Sequence, residues 1–314
     1  MKKQMKYPAL AFCVLLAAGC SQVEVISSSD TDSNGMRVPL TIASADVQMG
    51  VPATRAFTAL GTGSSIGVFL GNVNGGEFEM THANVQYNHA SPEWVPNSEQ
   101  EKIYVTSDNA NVCAYYPYRV GVPDGPHVSL APRVLADGDA PVAYAGLQNI
   151  NGGHKDISFS MTQACSWLVI DFKRGNTKDD ITLSEFSLIN SGLYKEYLLN
   201  VTDGSTAGTT AADAGTITFT GDIALAKNST VTRNLSMPPL PSLVGGLKVS
   251  MKVKEYGGKV LSTTLGGITA LARGTKYKIT LTVDGTGLAV TSVEVLPWTA
   301  STVNNGGNPW IPLP

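Results

Sequence analysis

Charge is scarce in this sequence. Lys, Arg, Asp and Glu supply 15 % of its 314 residues, against roughly a quarter in an average soluble chain. The charges nearly cancel, leaving −3 at neutral pH. The basic excess of a nucleic-acid binder is therefore missing. No run of about 18 apolar residues occurs, so no membrane-spanning helix is expected. The four cysteines and four histidines never approach zinc-ligand spacing,. His82, His89, His127 and His154 are scattered through polar or turn-like segments. Gly61 to Gly67 resembles a dinucleotide fingerprint but is one residue too long, and no helix is expected after it,. Asp137-Gly138-Asp139 alone falls short of the six or more oxygens a calcium ion needs,. Nothing positive points to catalysis, a metal or a cofactor.

What is present begins with an export signal. Lys2, Lys3 and Lys6 precede an apolar stretch over residues 7–18, then Ala17-Ala18-Gly19-Cys20. Residues 1–19 are read as a signal peptide that is removed. Cys20 then becomes the first residue and carries lipid, as in a bacterial lipoprotein, although Ala17 stands where a Leu is usual. Two or more acyl chains anchor stably to a membrane. Ser21, rather than Asp, favours delivery to the outer membrane. Residues 20–36, rich in Ser and Asp, read as a flexible tether,.

The dominant pattern downstream has a period of two. Leu247, Val249, Met251 and Val253 alternate with Lys248, Ser250 and Lys252, and only a strand sends those sets to opposite faces. The same alternation marks Tyr277 to Val283, Ile157 to Met161, and Val38, Leu40 and Ile42. Trp167 to Ile170 is continuously apolar and suits a strand buried on both faces. Asp-Gly and Asn-Gly pairs punctuate the chain as hairpin turns,. Tyr256 to Lys259 joins two strands, and a turn after Val283 joins two more,. A one-residue bulge near Thr291-Ser292 would keep Leu288, Val290, Val293 and Val295 all facing inward. About fifteen short strands and no amphipathic helix are expected, hence an all-β sandwich or barrel. Asn151-Gly152-Gly153 is the expected boundary between an N-terminal domain (37–153) and a C-terminal domain (154–314).

Cys113 and Cys165 either pair as a disulfide or remain buried free thiols. The apolar strand-like runs around both favour the second. Trp167 is expected in the core, while Trp94 and Trp310 lie in Pro-rich loops where a ring could stack on a ligand,.

Several segments combine in a telling order: the lipoprotein signal, Ala53-Thr54-Arg55-Ala56, Ser65 to Phe69, Ala114 to Tyr118, Ile157 to Ile170, Arg273 to Val283, and Leu296-Pro297-Trp298. Together they resemble the fimbrillin-like family of Bacteroidales lipoproteins, the subunits of type V pili. The resemblance implies two tandem transthyretin-like β-sandwich domains. It implies an outer-membrane lipoprotein, surface exposed, that enters a pilus after processing. An arginine-specific protease would cut between Arg55 and Ala56, the leader strand carrying Val38, Leu40 and Ile42 would leave, and a strand from another pilus subunit would fill the groove.

One departure qualifies that expectation. The tail after Trp298 is short and carries three prolines in its last six residues, which makes a poor donor strand because proline lacks the N–H. Residues 288–297, or a tip role facing a host receptor or glycan, are the alternatives. A surface-anchored glycan-binding lipoprotein is the competing function, with Trp94 or Trp310 as its stacking platform.

Overall fold

The computed structural model describes residues 37–49, 56–122, 125–136, 139–176, 179–284 and 287–297. Among these residues there is no α-helix, only single 3-10 turns at Glu99–Glu101, Asp213–Gly215 and Lys254–Tyr256. Strands follow in chain order as β1 (Val38–Pro39), β2 (Thr41–Met49), β3 (Ala56–Ala59), β4 (Ser65–Asn74), β5 (Glu77–Ala90) and β6 (Glu93–Pro96). Next come β7 (Tyr104–Val105), β8 (Ala110–Tyr116), β9 (His127–Leu130), β10 (Arg133–Val134), β11 (Ala143–Ile150) and β12 (Asp156–Gln163). Beyond them lie β13 (Ser166–Arg174), β14 (Ile181–Ile189), β15 (Tyr194–Asn200), β16 (Thr206–Ala211) and β17 (Thr216–Leu225). The last are β18 (Thr230–Met237), β19 (Leu247–Val253), β20 (Lys259–Leu265), β21 (Thr275–Val283) and β22 (Leu288–Pro297).

The period-two segments form strands with the expected faces. In β19, Leu247, Val249, Met251 and Val253 are buried while Lys248, Ser250 and Lys252 are not. In β12, Ile157, Phe159 and Met161 point inward. A 3-10 turn and a left-handed Gly257 close the hairpin from β19 to β20, where glycine meets the positive φ without strain.

Two cores share one sheet. An eight-stranded sheet runs β3-β2-β12-β11-β8-β4-β5-β6. It curls, so that β2 lies against β6. One face encloses a first core that includes Ile42, Val47, Val68, Tyr87, Phe159 and Met161. The opposite face sends Phe69, Cys113 and Tyr115 into a second core. Strands buried on both faces need no alternation, which explains the unbroken apolar runs at Val68–Leu70 and Val112–Tyr116. In the second core a five-stranded sheet, β10-β18-β13-β21-β22, packs against a four-stranded one, β17-β14-β19-β20. Phe172 of β13 meets Phe186 of β14 at 5.5 Å between ring centroids, and Phe186 stacks on Phe219 of β17 at 4.8 Å. Trp167 is buried in this core, as expected.

The division expected at 151–153 is not where the chain changes core. Asn151 and His154 form a bridge in the turn between β11 and β12, which are neighbours in one sheet. β12 therefore belongs with the first half, and the switch comes at Ala164–Ser166. In the other direction, β9 pairs with β15 and β10 with β18. The reason is that an Asn-Gly-Gly turn serves a hairpin as readily as a linker. The described residues accordingly fall in one compact unit.

The bulge in β22 is present: Thr280 pairs with Ser292 and Leu281 with Val290, leaving Thr291 over. Leu288, Val290 and Val293 pack against the second core. Val295 does not follow them inward and is 56 % exposed. β22 is the outermost strand of its sheet, with a neighbour on one side only.

Candidate functional site

The strand expected to be removable lies inside a sheet, not on its rim. β2 pairs antiparallel with β3 on one side and parallel with β12 on the other. Ahead of it, Val38 and Pro39 pair with Val105 and Tyr104 of β7. The Leu40 amide donates to the Ile103 carbonyl at 2.9 Å, and the Thr41 amide to the Lys155 carbonyl at 3.0 Å.

Of the three residues expected to hold this segment, Leu40 and Ile42 are buried in the first core and Val38 is half-buried against it. The strand then changes parity. Ile42 pairs with Ile157, but Ser158 pairs with Ser44, so Ala43 is bulged out. Ala45 and Val47 take the inward positions from there. Sequence reasoning missed these two. Their signal was a second alternation, Ala45 and Val47 against Ser44 and Asp46, in the opposite phase to Leu40 and Ile42. Burying Leu40, Ile42 and Val47 contributes about 5–9 kcal/mol by area bookkeeping, an upper estimate.

Ala56, on the far side of the expected scissile bond, is the first residue of β3 and pairs with Met49 at the end of β2. Arg55 lies outside the described residues, as do Cys20 and Trp310. β3 pairs with β2 alone among the described strands. Departure of β2 would thus leave β3 without its partner and expose the Asp156–Met161 edge of β12. Unpaired edges and bared apolar surface are both costly in water.

One of the two rings that could have stacked on a ligand is buried. Trp94 is 8 % exposed and stacks on His89 at 4.9 Å between centroids. It packs into the first core because the curl of the sheet brings β6 over β2, so it offers no platform to a ligand. Cys113 and Cys165 are buried free thiols. Burial pushes the Cys113 thiol up to about 12 and raises that of Cys165. Gly63-Ser64-Ser65-Ile66-Gly67 has the spacing of a hydrolase nucleophile elbow. That motif needs a strand-to-helix turn, whereas Ser65 opens β4 and its hydroxyl donates to Asn88 Oδ1 at 2.6 Å. His82 is held below the usual imidazole range by burial and then by the charge of Arg37, just ahead of β1.

Comparison with known proteins agrees with this architecture. The chain resembles a candidate cell adhesion protein of Bacteroides uniformis at 22 % identity and a TM-score of 0.55, covering 84 % of this chain and 99 % of that one. A second, from Bacteroides ovatus, gives 16 % identity, a TM-score of 0.59, and coverage of 85 % and 99 %. A third, from Bacteroides fragilis, gives 11 %, 0.55, and coverage of 85 % and 100 %. At such identities the likeness is one of fold. No curated protein matches the chain. The sequence profile described as fimbrillin-like matches residues 54–298, well over half of the chain, and the chain therefore belongs to the fimbrillin-like family.

Proposed function

We propose that this chain is a pilus subunit, structural or adhesive rather than catalytic, assembled by strand replacement. Export as a lipoprotein on Cys20 brings it to the outer membrane. An arginine-specific protease cuts between Arg55 and Ala56. The segment bearing β1 and β2 leaves, and a strand from a neighbouring subunit takes its place by β-addition.

The observation that carries this reading is the position of β2. It is an interior strand, with Leu40 just ahead of it and Ile42, Ala45 and Val47 within it buried, yet its covalent link to the strands that follow runs only through the connection containing Arg55. Its loss opens an apolar groove flanked by hydrogen-bonding backbone, which another extended segment can fill. Membership of the fimbrillin-like family supports the same conclusion.

The test is limited digestion with an arginine-specific protease, followed by intact mass and gel mobility. A product beginning at Ala56 that then forms a ladder of heat-stable oligomers is the expected result. A trimmed protein that remains monomeric with candidate donor peptides supplied would overturn the assembly mechanism.

A further inference from the structure

A cleft of about 180 Å³ opens in the second core, lined by Arg119, Ser129, Arg133, Cys165, Glu196 and Ser236 among others. Its residues come from both halves of the chain. Arg119 arrives on the loop after β8, Ser129 and Arg133 on β9 and β10, Glu196 on β15 and Ser236 on β18.

Arg119 is held in place by its backbone. Its amide donates to the Tyr115 hydroxyl at 3.0 Å, and that hydroxyl lies 2.8 Å from Asn84 Oδ1. Asn84 Nδ2 closes the ring by donating to the Arg119 carbonyl at 2.9 Å. At the other end Arg119 Nη1 donates to the Ser129 carbonyl at 2.5 Å. The guanidinium is thus aimed, with donors left over.

Its electrostatic setting is unfinished. The ion pairs among the described residues do not include Arg119. Arg133 beside it is already engaged with Asp139 at 2.7 Å. Burial, and then the Arg133 charge, both press Arg119 below the usual guanidinium range. A carboxylate forked onto Arg119 would relieve both. The other wall differs in character. Glu196 accepts from Thr210 Oγ1 at 2.9 Å through one oxygen, so its second oxygen can accept from a hydroxyl. The Ser236 hydroxyl, 4 % exposed and hydrogen-bonded with the Cys165 thiol, keeps a lone pair that can accept from a ligand hydroxyl,. One wall suits a carboxylate and the other a polyol, in a volume that holds a single pyranose ring.

We propose that this cleft binds a small carboxylate-bearing polyol of the acidic-sugar class, with its carboxylate on Arg119 and its hydroxyls toward Glu196 and Ser236. No residue of β1 or β2 lines the cleft, so the assignment is independent of strand replacement.

Calorimetric titration of the full chain with galacturonate, galactose and acetate tests it. Galacturonate binds, while galactose and acetate bind at least about tenfold more weakly, because each offers only half of the contacts. Arg119→Gln weakens galacturonate by about tenfold or more, with a melting curve to confirm folding. Glu196→Gln alters an exposed side chain, keeps an acceptor oxygen and removes a like charge, so it raises the affinity for galacturonate relative to galactose severalfold. Absence of galacturonate binding overturns the proposal. So does equal binding of acetate or galactose, undiminished binding in a folded Arg119→Gln, or no change in Glu196→Gln.

Discussion

Gly67 of β4 sits directly across from Tyr115 of β8, and the space a side chain would need at Gly67 is filled by the tyrosine ring. A β-carbon there would lie 2.7 Å from Tyr115 Cζ and 2.6 Å from Asn84 Oδ1. The glycine is what allows Tyr115 to lie over the sheet, reach Asn84 and fix Arg119. Gly67→Ala is expected to cost about 1–3 kcal/mol by overpacking, measured as a lower urea midpoint. The same variant should bind galacturonate more weakly, because its Arg119 loses its anchor.

β2 contributes through a few side chains. Ile42 is 3 % exposed in the first core, and Ile42→Ala should lower the stability of the chain by about 2–4 kcal/mol. Thr41 next to it is exposed; Thr41→Ala should change stability by less than about 0.5 kcal/mol. Equal effects in paired urea titrations would show that burial of this face is not what holds the strand.

Gln163 ends β12 at 2 % exposure, and neither the nitrogen nor the oxygen of its amide has a hydrogen-bond partner among the described residues. A buried unpaired polar group costs about 1–3 kcal/mol. Gln163→Met keeps the length and removes the amide, so it should raise the melting temperature. A fall would mean that the amide is bonded in solution.

Alkaline pH should weaken the fold. Burial pushes the Cys113 thiol and the Tyr115 hydroxyl each up to about 12, from ordinary values of 9.0 and 10.0. Between about pH 9 and 12 the unfolded chain releases these protons while the folded chain keeps them. The unfolded state then binds fewer protons, and stability falls as pH rises. Melting temperatures recorded across this range should decline. Replacing Cys113 with Ala should flatten the lower part of the decline. Native Cys113 and Cys165 should also resist thiol reagents at pH 8 and react on unfolding, since the thiolate is the reactive form.

How far the sequence could be read depended on how local each feature was. The hairpin around Gly257 and Gly258 needs only its own turn residues and the alternation on either side, and it was legible. The bulge at Thr291 was legible too, because Leu288 and Val290 share one parity while Val293 carries the other. The matching change of phase at Ala43 was overlooked, since Ala45 is small and signals burial weakly. Trp94 looked like a loop residue because Pro92 and Pro96 flank it, while the curl that buries it involves strands far along the chain. Arg119 and Glu196, 77 residues apart, left no local trace of facing one cleft.

The sequence by itself determined that this protein is all-β, where many of its strands turn, and which parity of the alternating strands, such as β12, β19 and β21, is apolar. Period-two alternation and glycine-based turns are encoded within a few residues, so neighbours in the chain suffice to specify them. Only the tertiary structure decided that β2 runs between β3 and β12, that β9 and β10 pair with strands of the second half, and that Arg119 and Glu196 line one cleft. Those outcomes depend on which distant strands meet edge to edge and face to face, and pairing and desolvation between distant residues follow no rule that a local window can hold.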